Sequence, residues 1–182
     1  MVFEEQRTTR LTLRKLTPEV YRHVFENLTE REQMNFFGFN SEAELYPEEE
    51  KFRKGLVTFN RSFLIFQLVL NQTQKVIGWC GFHTWAMNHF RAELGYLLYD
   101  EEYMGKGIMT EAIVPVIDYG FNQMDLHRIE ALAGPGNSAS LKLLEKFNFR
   151  KEGHLREHYF KNNKMEDSVI YSLLRTEWPG LR

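Results

Sequence analysis

The stretch from Arg91 to Met124 limits what this chain can fold into more than any other. It opens as Arg91-Ala92-Glu93-Leu94-Gly95-Tyr96-Leu97-Leu98-Tyr99, a strand-like run, and passes through the polar segment 100–107. Met109, Ala112, Ile113, Val116, Ile117, Gly120, Phe121 and Met124 follow at spacings of three and four. That spacing gathers the apolar positions on one helical stripe, which has to be covered. A strand, a turn and a long one-sided helix imply a helix lying on a sheet. Pro115 falls inside the helix and is expected to bend it or to occupy its solvent side.

The flanking sequence extends the same plan. Leu11, Leu13 and Leu16 mark a half-buried strand within residues 8–16. Thr17-Pro18-Glu19 starts a helix, with Pro at the first helical position. Residues 19–58 read as mostly helical, with further start signals at Ser41 with Glu44 and at Pro47. From Ser62 the residues become β-branched and aromatic. Residues 62–70 and 75–85 form a hairpin about Asn71-Gln72-Thr73-Gln74. Residues 128–133 give a short strand, and Asn137 or Ser138 caps a helix whose stripe is Ser140, Leu143, Leu144 and Phe147. Residues 149–157 and 167–174 make a second hairpin around Lys161-Asn162-Asn163-Lys164. No repeat or linker interrupts residues 1–182, so the expectation is one α/β layered domain with a mixed sheet.

Composition removes several functions. Lys and Arg number 23 against 25 Asp and Glu, a net charge of -2, without the basic excess of a duplex-wrapping protein. No nucleic-acid partner is expected. Apolar runs such as Phe63-Leu64-Ile65-Phe66 fall far short of the ~20 residues of a membrane span. The first residues carry no basic-then-apolar leader, so the expected setting is cytoplasmic, with no membrane partner. Cys80 is the sole cysteine and reads as a core residue. His154 and His158 lie on a strand pattern, where a spacing of four does not bring them together, and no metal is expected. Phe63, Phe66, Trp79, Phe82 and Trp85 read as core and pocket wall. The run Glu48-Glu49-Glu50 reads as a solvated helix face.

Chemistry concentrates where the strand meets the helix. Gly105-Lys106-Gly107 precedes a helix N-terminus, where unsatisfied amides and the positive end of the helix dipole favour an anion such as a phosphate. Gly-x-Gly alone fits a plain tight turn equally well. The dinucleotide fingerprint fails, because Thr110 stands where a third glycine or alanine belongs.

A second block narrows the choice. Gly105-Lys106-Gly107-Ile108-Met109-Thr110-Glu111-Ala112, Arg128-Ile129-Glu130-Ala131, and Asn137-Ser138-Ala139-Ser140 before Leu143-Leu144-Glu145-Lys146-Phe147-Asn148-Phe149 together resemble the GNAT superfamily of N-acetyltransferases. Ala92-Glu93-Leu94-Gly95-Tyr96, Glu152-Gly153 and Asp167 add to the likeness, which runs from about residue 8 to residue 178 and is nearest the RimJ/RimL type. The resemblance implies a single GNAT-type domain over residues 1–182, with a mostly antiparallel, twisted sheet of about seven strands flanked by helices. It implies acetyl-CoA as co-substrate, no metal, and a primary amine as acceptor. A protein N-terminal α-amine leads, as in enzymes acting on ribosomal proteins. The alternatives are a polyamine, amino sugar or amino acid, or a non-catalytic acyl-CoA-binding module. A homodimer is compatible with the likeness, but no residue pattern specifies one.

Carried over residue by residue, the resemblance assigns the pantetheine arm to the backbone at Leu97, Leu98 and Tyr99. It assigns the pyrophosphate to the amides of Gly105, Lys106, Gly107, Ile108, Met109 and Thr110, and the thiol end of the arm to Asn137. The sequence departs from the family at Glu102, where Gln or Arg is usual, and at Asn148, where Gly is usual. Acetyl transfer needs a neutral amine, and the reference pKa is near 8 for an α-amine against 10.4 for lysine. Glu93 is the candidate base, with a structural or substrate-orienting carboxylate as the other reading and Glu130 as the alternative residue. Many relatives place a tyrosine on the last helix to assist the departing thiolate. Leu144 occurs here, so the role passes to Ser140, which reads equally as a helix-start hydroxyl; Tyr159 ranks third.

Overall fold

A computed structural model describes residues 3–55 and 62–180, but not the side chains of Ser62 and Phe63, and these residues form eight strands and five α-helices. The strand order is β1-β2-β3-β4-β5-β6-β8-β7. β5 and β6 run parallel, while β1–β2, β2–β3, β6–β8 and β7–β8 run antiparallel. The expected sheet of about seven strands is thus present with one short addition. By contact the chain divides into two compact units, Met1–Thr84 with Gly95–Val116, and Trp85–Leu94 with Ile117–Arg182.

The first unit contains β1 (Glu5–Arg7), β2 (Leu11–Leu16), α1 (Pro18–Asn27), α2 (Glu30–Phe37), α3 (Glu42–Arg53) and β3 (Ser62–Leu70). It also holds most of β4 (Val76–Ala86), the second half of β5 (Arg91–Leu98) and the first turns of α4 (Ile108–Asn122). β1 adds to β2 through three pairs, from Glu5↔Arg14 to Arg7↔Thr12. It is too short and too polar to be read from alternation. α1 starts as expected: the Val20 N–H donates to the Thr17 side chain, with Pro18 at the first position. α2 is set by a reciprocal capping box between Thr29 and Glu32, and Gly38 ends it with φ +77°. Pro47 starts no helix, because it lies inside α3. Residues 56–58 of the expected helical stretch lie outside the described residues.

Leu16, Val20, Tyr21, Val24, Phe37 and Leu45 are buried together, with Phe25, Phe36, Phe39 and Phe52 packed against them. Each such side chain removed from water contributes roughly 1.5–3 kcal/mol, which makes this cluster the anchor of α1–α3. The acidic run is paired along α3, Glu49 with Arg53 and Glu50 with Lys54. Glu48 pairs with Lys51 and also accepts from the buried Tyr21 hydroxyl at 2.7 Å. Leu11 and Leu13 are fully buried, as are Cys80 and Phe82, while Phe66 is nearly so. Burial pushes the Cys80 thiol up, in keeping with an inert core residue.

The second unit contains the start of β5, the last turns of α4, β6 (Arg128–Ala133), α5 (Ser138–Lys146), β7 (Arg150–Lys161) and β8 (Lys164–Leu174). Every position of the apolar stripe from Met109 to Met124 is buried, and Pro115 is half-buried within α4. β7 and β8 are longer than expected and meet at Asn162-Asn163, whose φ values of 51° and 57° suit a two-residue hairpin loop. A bulge between Leu155 and Tyr159 breaks the β7–β8 register. It is pinned by Asp167, which accepts the Glu157 N–H at 2.8 Å and lies 2.6 Å from His154 Nε2.

Candidate active site

The Gly105–Gly107 turn belongs wholly to the first unit. Leading into it, the Tyr99 N–H donates to the Ile77 carbonyl of β4 at 3.0 Å. A methyl group on Gly78 would lie 2.1 Å from the Leu97 carbonyl oxygen, so Leu97 also turns its backbone toward β4. Backbone direction alternates along a strand, and Leu98 therefore directs its N–H and C=O to the other edge. Beyond β5, Gly105 and Gly107 take φ values of +69° and +70°, in the left-handed region that glycine enters without cost. A Cβ on Gly105 would meet nothing within 4 Å. Ile108 and Met109 bury their side chains, so only their amides could serve a ligand.

Arg10, in the bend before β2, grips the turn. Its Nη1 donates to the Lys106 carbonyl at 2.9 Å and its Nη2 to the Gly107 carbonyl at 3.0 Å. Its Nε donates to Glu111 Oε2 at 2.6 Å, and its backbone N–H to Glu111 Oε1 at 2.7 Å. Burial alone would push the Glu111 carboxyl up, but hydrogen bonds from Thr8 and Arg10 outweigh it and hold the group below its ordinary value. Glu102 faces Lys75, whose Nζ is 3.7 Å from Glu102 and 2.9 Å from Asp100. The Asp100 carboxylate and the Tyr103 hydroxyl raise the Lys75 ammonium to about 12, so Glu102 keeps a cationic neighbour throughout the neutral range.

Glu93, Asn137 and Ser140 share the second unit. Asn137 is the N-cap of α5, its Oδ1 accepting the Ser140 N–H at 3.1 Å. Ser140 is half-buried in the first turn of α5, where the helix dipole favours a thiolate. An open groove is lined by Gly134, Pro135, Gly136, Asn137, Tyr159 and Met165, with Glu157, Glu166, Asp167, Lys161 and Lys164 around it. Glu93 lies half-buried on β5, in register with Glu130 of β6. Burial and the charge of Glu93 together push the Tyr159 hydroxyl up, which places that carboxylate within electrostatic reach of the groove wall. Glu130 is held between Arg91 at 2.7 Å and Arg128 at 2.9 Å. A carboxylate gripped by two guanidiniums is not arranged to collect a proton.

A family model described as an acetyltransferase (GNAT) domain matches residues 10–150, which span the turn, Glu93 and the cap of α5. The chain belongs to the GNAT acetyltransferases. This N-acetyltransferase is 32% identical over 181 residues to the Bacillus subtilis protein named uncharacterized N-acetyltransferase YoaA, covering 92% of this chain and 95% of that one. It is 31% identical over 144 residues to the Escherichia coli [ribosomal protein uS5]-alanine N-acetyltransferase, covering 76% and 74%. Among solved structures, the ribosomal-protein-S5-alanine acetyltransferase of Vibrio fischeri superposes with a TM-score of 0.68 at 25% identity, over 96% of this chain and 98% of that one.

Two features of the acetyltransferase escaped the sequence reading. Arg10 sits in the bend before β2, about a hundred residues from the turn it grips, with no local pattern to mark it. His83 lies half-buried on β4, and a methyl on Gly95 would come within 2.8 Å of its Nε2. Burial pushes its imidazole down from its ordinary value. Asn148, where glycine is usual, takes φ +62°, the left-handed conformation that asparagine tolerates. No cluster of three or more His, Cys, Asp or Glu suited to a metal occurs among the described residues. Among these residues no helix is long and apolar enough to cross a membrane.

Proposed function

We propose that this acetyltransferase moves the acetyl group of acetyl-CoA to a protein N-terminal α-amine by direct attack. The observation that carries the reading is the Gly105–Gly107 turn, a left-handed glycine pair in which the Lys106 and Gly107 carbonyls are drawn to Arg10, with a fresh helix N-terminus behind it. When bound, acetyl-CoA supplies a thioester carbon open to nucleophilic attack. The chain's own residues do the rest. Gly105 through Thr110 offer amides to the pyrophosphate, and Leu98 presents strand backbone to the pantetheine arm, where Leu97 and Tyr99 turn theirs toward β4. Asn137 keeps its amide N–H groups for the thiol end of the arm, since its Oδ1 serves α5.

Glu93 accepts the proton of the incoming ammonium. The freed nitrogen then forms the new C–N bond, the C–S bond breaks, and the thiolate leaves toward Ser140 and the α5 N-terminus, taking up the second proton shed by the nitrogen to depart as the thiol. The α-amine acceptor is supported by the alanine-acetylating relative and by the smaller deprotonation cost of an amine with pKa near 8. A match of 30% identity to the Escherichia coli spermidine N(1)-acetyltransferase spans 90 residues, only half of this chain, and makes a polyamine the competing acceptor.

The test measures thiol release from acetyl-CoA with an alanine-initiated peptide and with spermidine. Turnover on the peptide well above that on spermidine is expected, and the reverse order overturns the acceptor. Glu93→Gln should lower kcat at neutral pH by roughly 10²–10⁴-fold, with partial recovery as pH approaches the acceptor's own pKa. An unchanged kcat and pH profile would show Glu93 to be structural and leave desolvation of the amine as the better account.

A further inference from the structure

We infer that Arg10 is a positioning residue for the donor's pyrophosphate, acting through the backbone of the Gly105–Gly107 turn; the inference rests on the reading of that turn given above. A trans peptide is planar, so its N–H points opposite to its C=O, and none of the described peptide bonds is cis. Drawing the Lys106 carbonyl to Nη1 turns the Gly107 N–H away from Arg10. Drawing the Gly107 carbonyl to Nη2 turns the Ile108 N–H the same way. One planar guanidinium thereby fixes two successive amide donors on the face opposite itself, a geometry that a lysine ammonium cannot reproduce.

Charge supplies a second effect. Glu111 is an anion in the first turn of α4, immediately behind the amides that would receive another anion. Arg10 pairs with it at 2.6 Å, so the turn does not present a net negative charge to the ligand. The arrangement also shows which side of the turn is occupied. A methyl on Gly107 would lie 3.7 Å from Arg10 Nη2, so the side-chain direction at 107 faces the clamp.

The test compares kcat/KM for acetyl-CoA and for S-acetylpantetheine, which lacks the pyrophosphate, in the wild-type enzyme and in Arg10→Met. The wild type should prefer acetyl-CoA strongly. Arg10→Met should raise KM for acetyl-CoA about tenfold or more, with kcat held, because two charge-assisted hydrogen bonds to the turn are lost. It should leave kcat/KM for S-acetylpantetheine within about twofold. Arg10→Lys keeps the cation beside Glu111 but not the fork, and should fall between the two; it carries the comparison if Arg10→Met does not fold. An equal loss on both donors, or no loss on either, overturns the positioning role. A wild type indifferent to the pyrophosphate overturns instead the reading of the turn, and the inference with it.

Discussion

Replacing Asn137 separates two jobs that one side chain performs. Its Oδ1 caps α5 through the Ser140 N–H at 3.1 Å, and its amide N–H groups are assigned to the pantetheine arm. Asn137→Ala removes both. Losing an N-cap costs about 0.5–2 kcal/mol, and at roughly 2–4 °C per kcal/mol for a domain of this size the melting temperature should drop by about 1–8 °C. Uncapping also loosens Ser140, so kcat falls along with the rise in KM. Asn137→Ser keeps an acceptor at the cap and replaces the two amide N–H donors with a single O–H one bond closer to the backbone. Its melting temperature should stay within about 1 °C of wild type, while KM for acetyl-CoA rises by roughly 2- to 13-fold, the equivalent of one neutral hydrogen bond. Ser140→Ala, the companion variant, should act on kcat alone. The assay is thermal denaturation beside steady-state kinetics with acetyl-CoA varied. If Asn137→Ser restores KM as well as stability, Asn137 is a helix cap and nothing more, and its assignment to the arm is wrong.

Gly107→Ala should cost little beyond left-handed strain, about 1–2 kcal/mol in stability, since a methyl there meets only Arg10 Nη2 at 3.7 Å. Gly107→Val adds β-branching against the clamp, and should abolish the thermal shift produced by acetyl-CoA; an undiminished shift would place the donor elsewhere. Glu152 is held at about 2 by Arg128 and Ser172. Its folded pKa lies below the ordinary 4.5, so the unfolded chain binds the extra proton and stability is lost as pH falls from about 4.5 to about 2. Glu152→Gln should flatten that acid limb in melting curves, by a small amount because the pair is partly exposed; an unchanged limb would show the pair to be inert.

Sequence periodicity reached the fold well where burial is one-sided. The α4 stripe, β6 and the Thr17 cap all follow from patterns in which each residue announces its own environment. Periodicity failed where partners are remote or polar. β1 is three residues of Glu, Gln and Arg, and it becomes a strand because β2 offers an edge. Pro47 looked like a helix start and lies mid-helix, because the capping signals of α3 precede it at Ser41 and Glu44. The length of β7 was missed because its charged residues show no alternation; it is a strand because β8 pairs with it. In the candidate site the glycines and the cap were visible as local chemistry. Arg10 and the Glu130 network were not, since each exists only once distant segments of the chain meet.

The bulge in β7 also bears on how this protein behaves when concentrated. β7 ends the strand order, and its twelve residues leave one long rim of backbone N–H and C=O groups facing outward. Such a rim is a template on which another chain can add a strand, and Phe160 at 70% exposure would reward the contact. The register break between Leu155 and Tyr159 bends the template in its middle, and Arg150, Lys151, Glu152, Arg156 and Glu157 put charge on the rest. Asp167, by holding the bulge, therefore protects the molecule from stacking edge to edge as well as shaping the groove wall beside it.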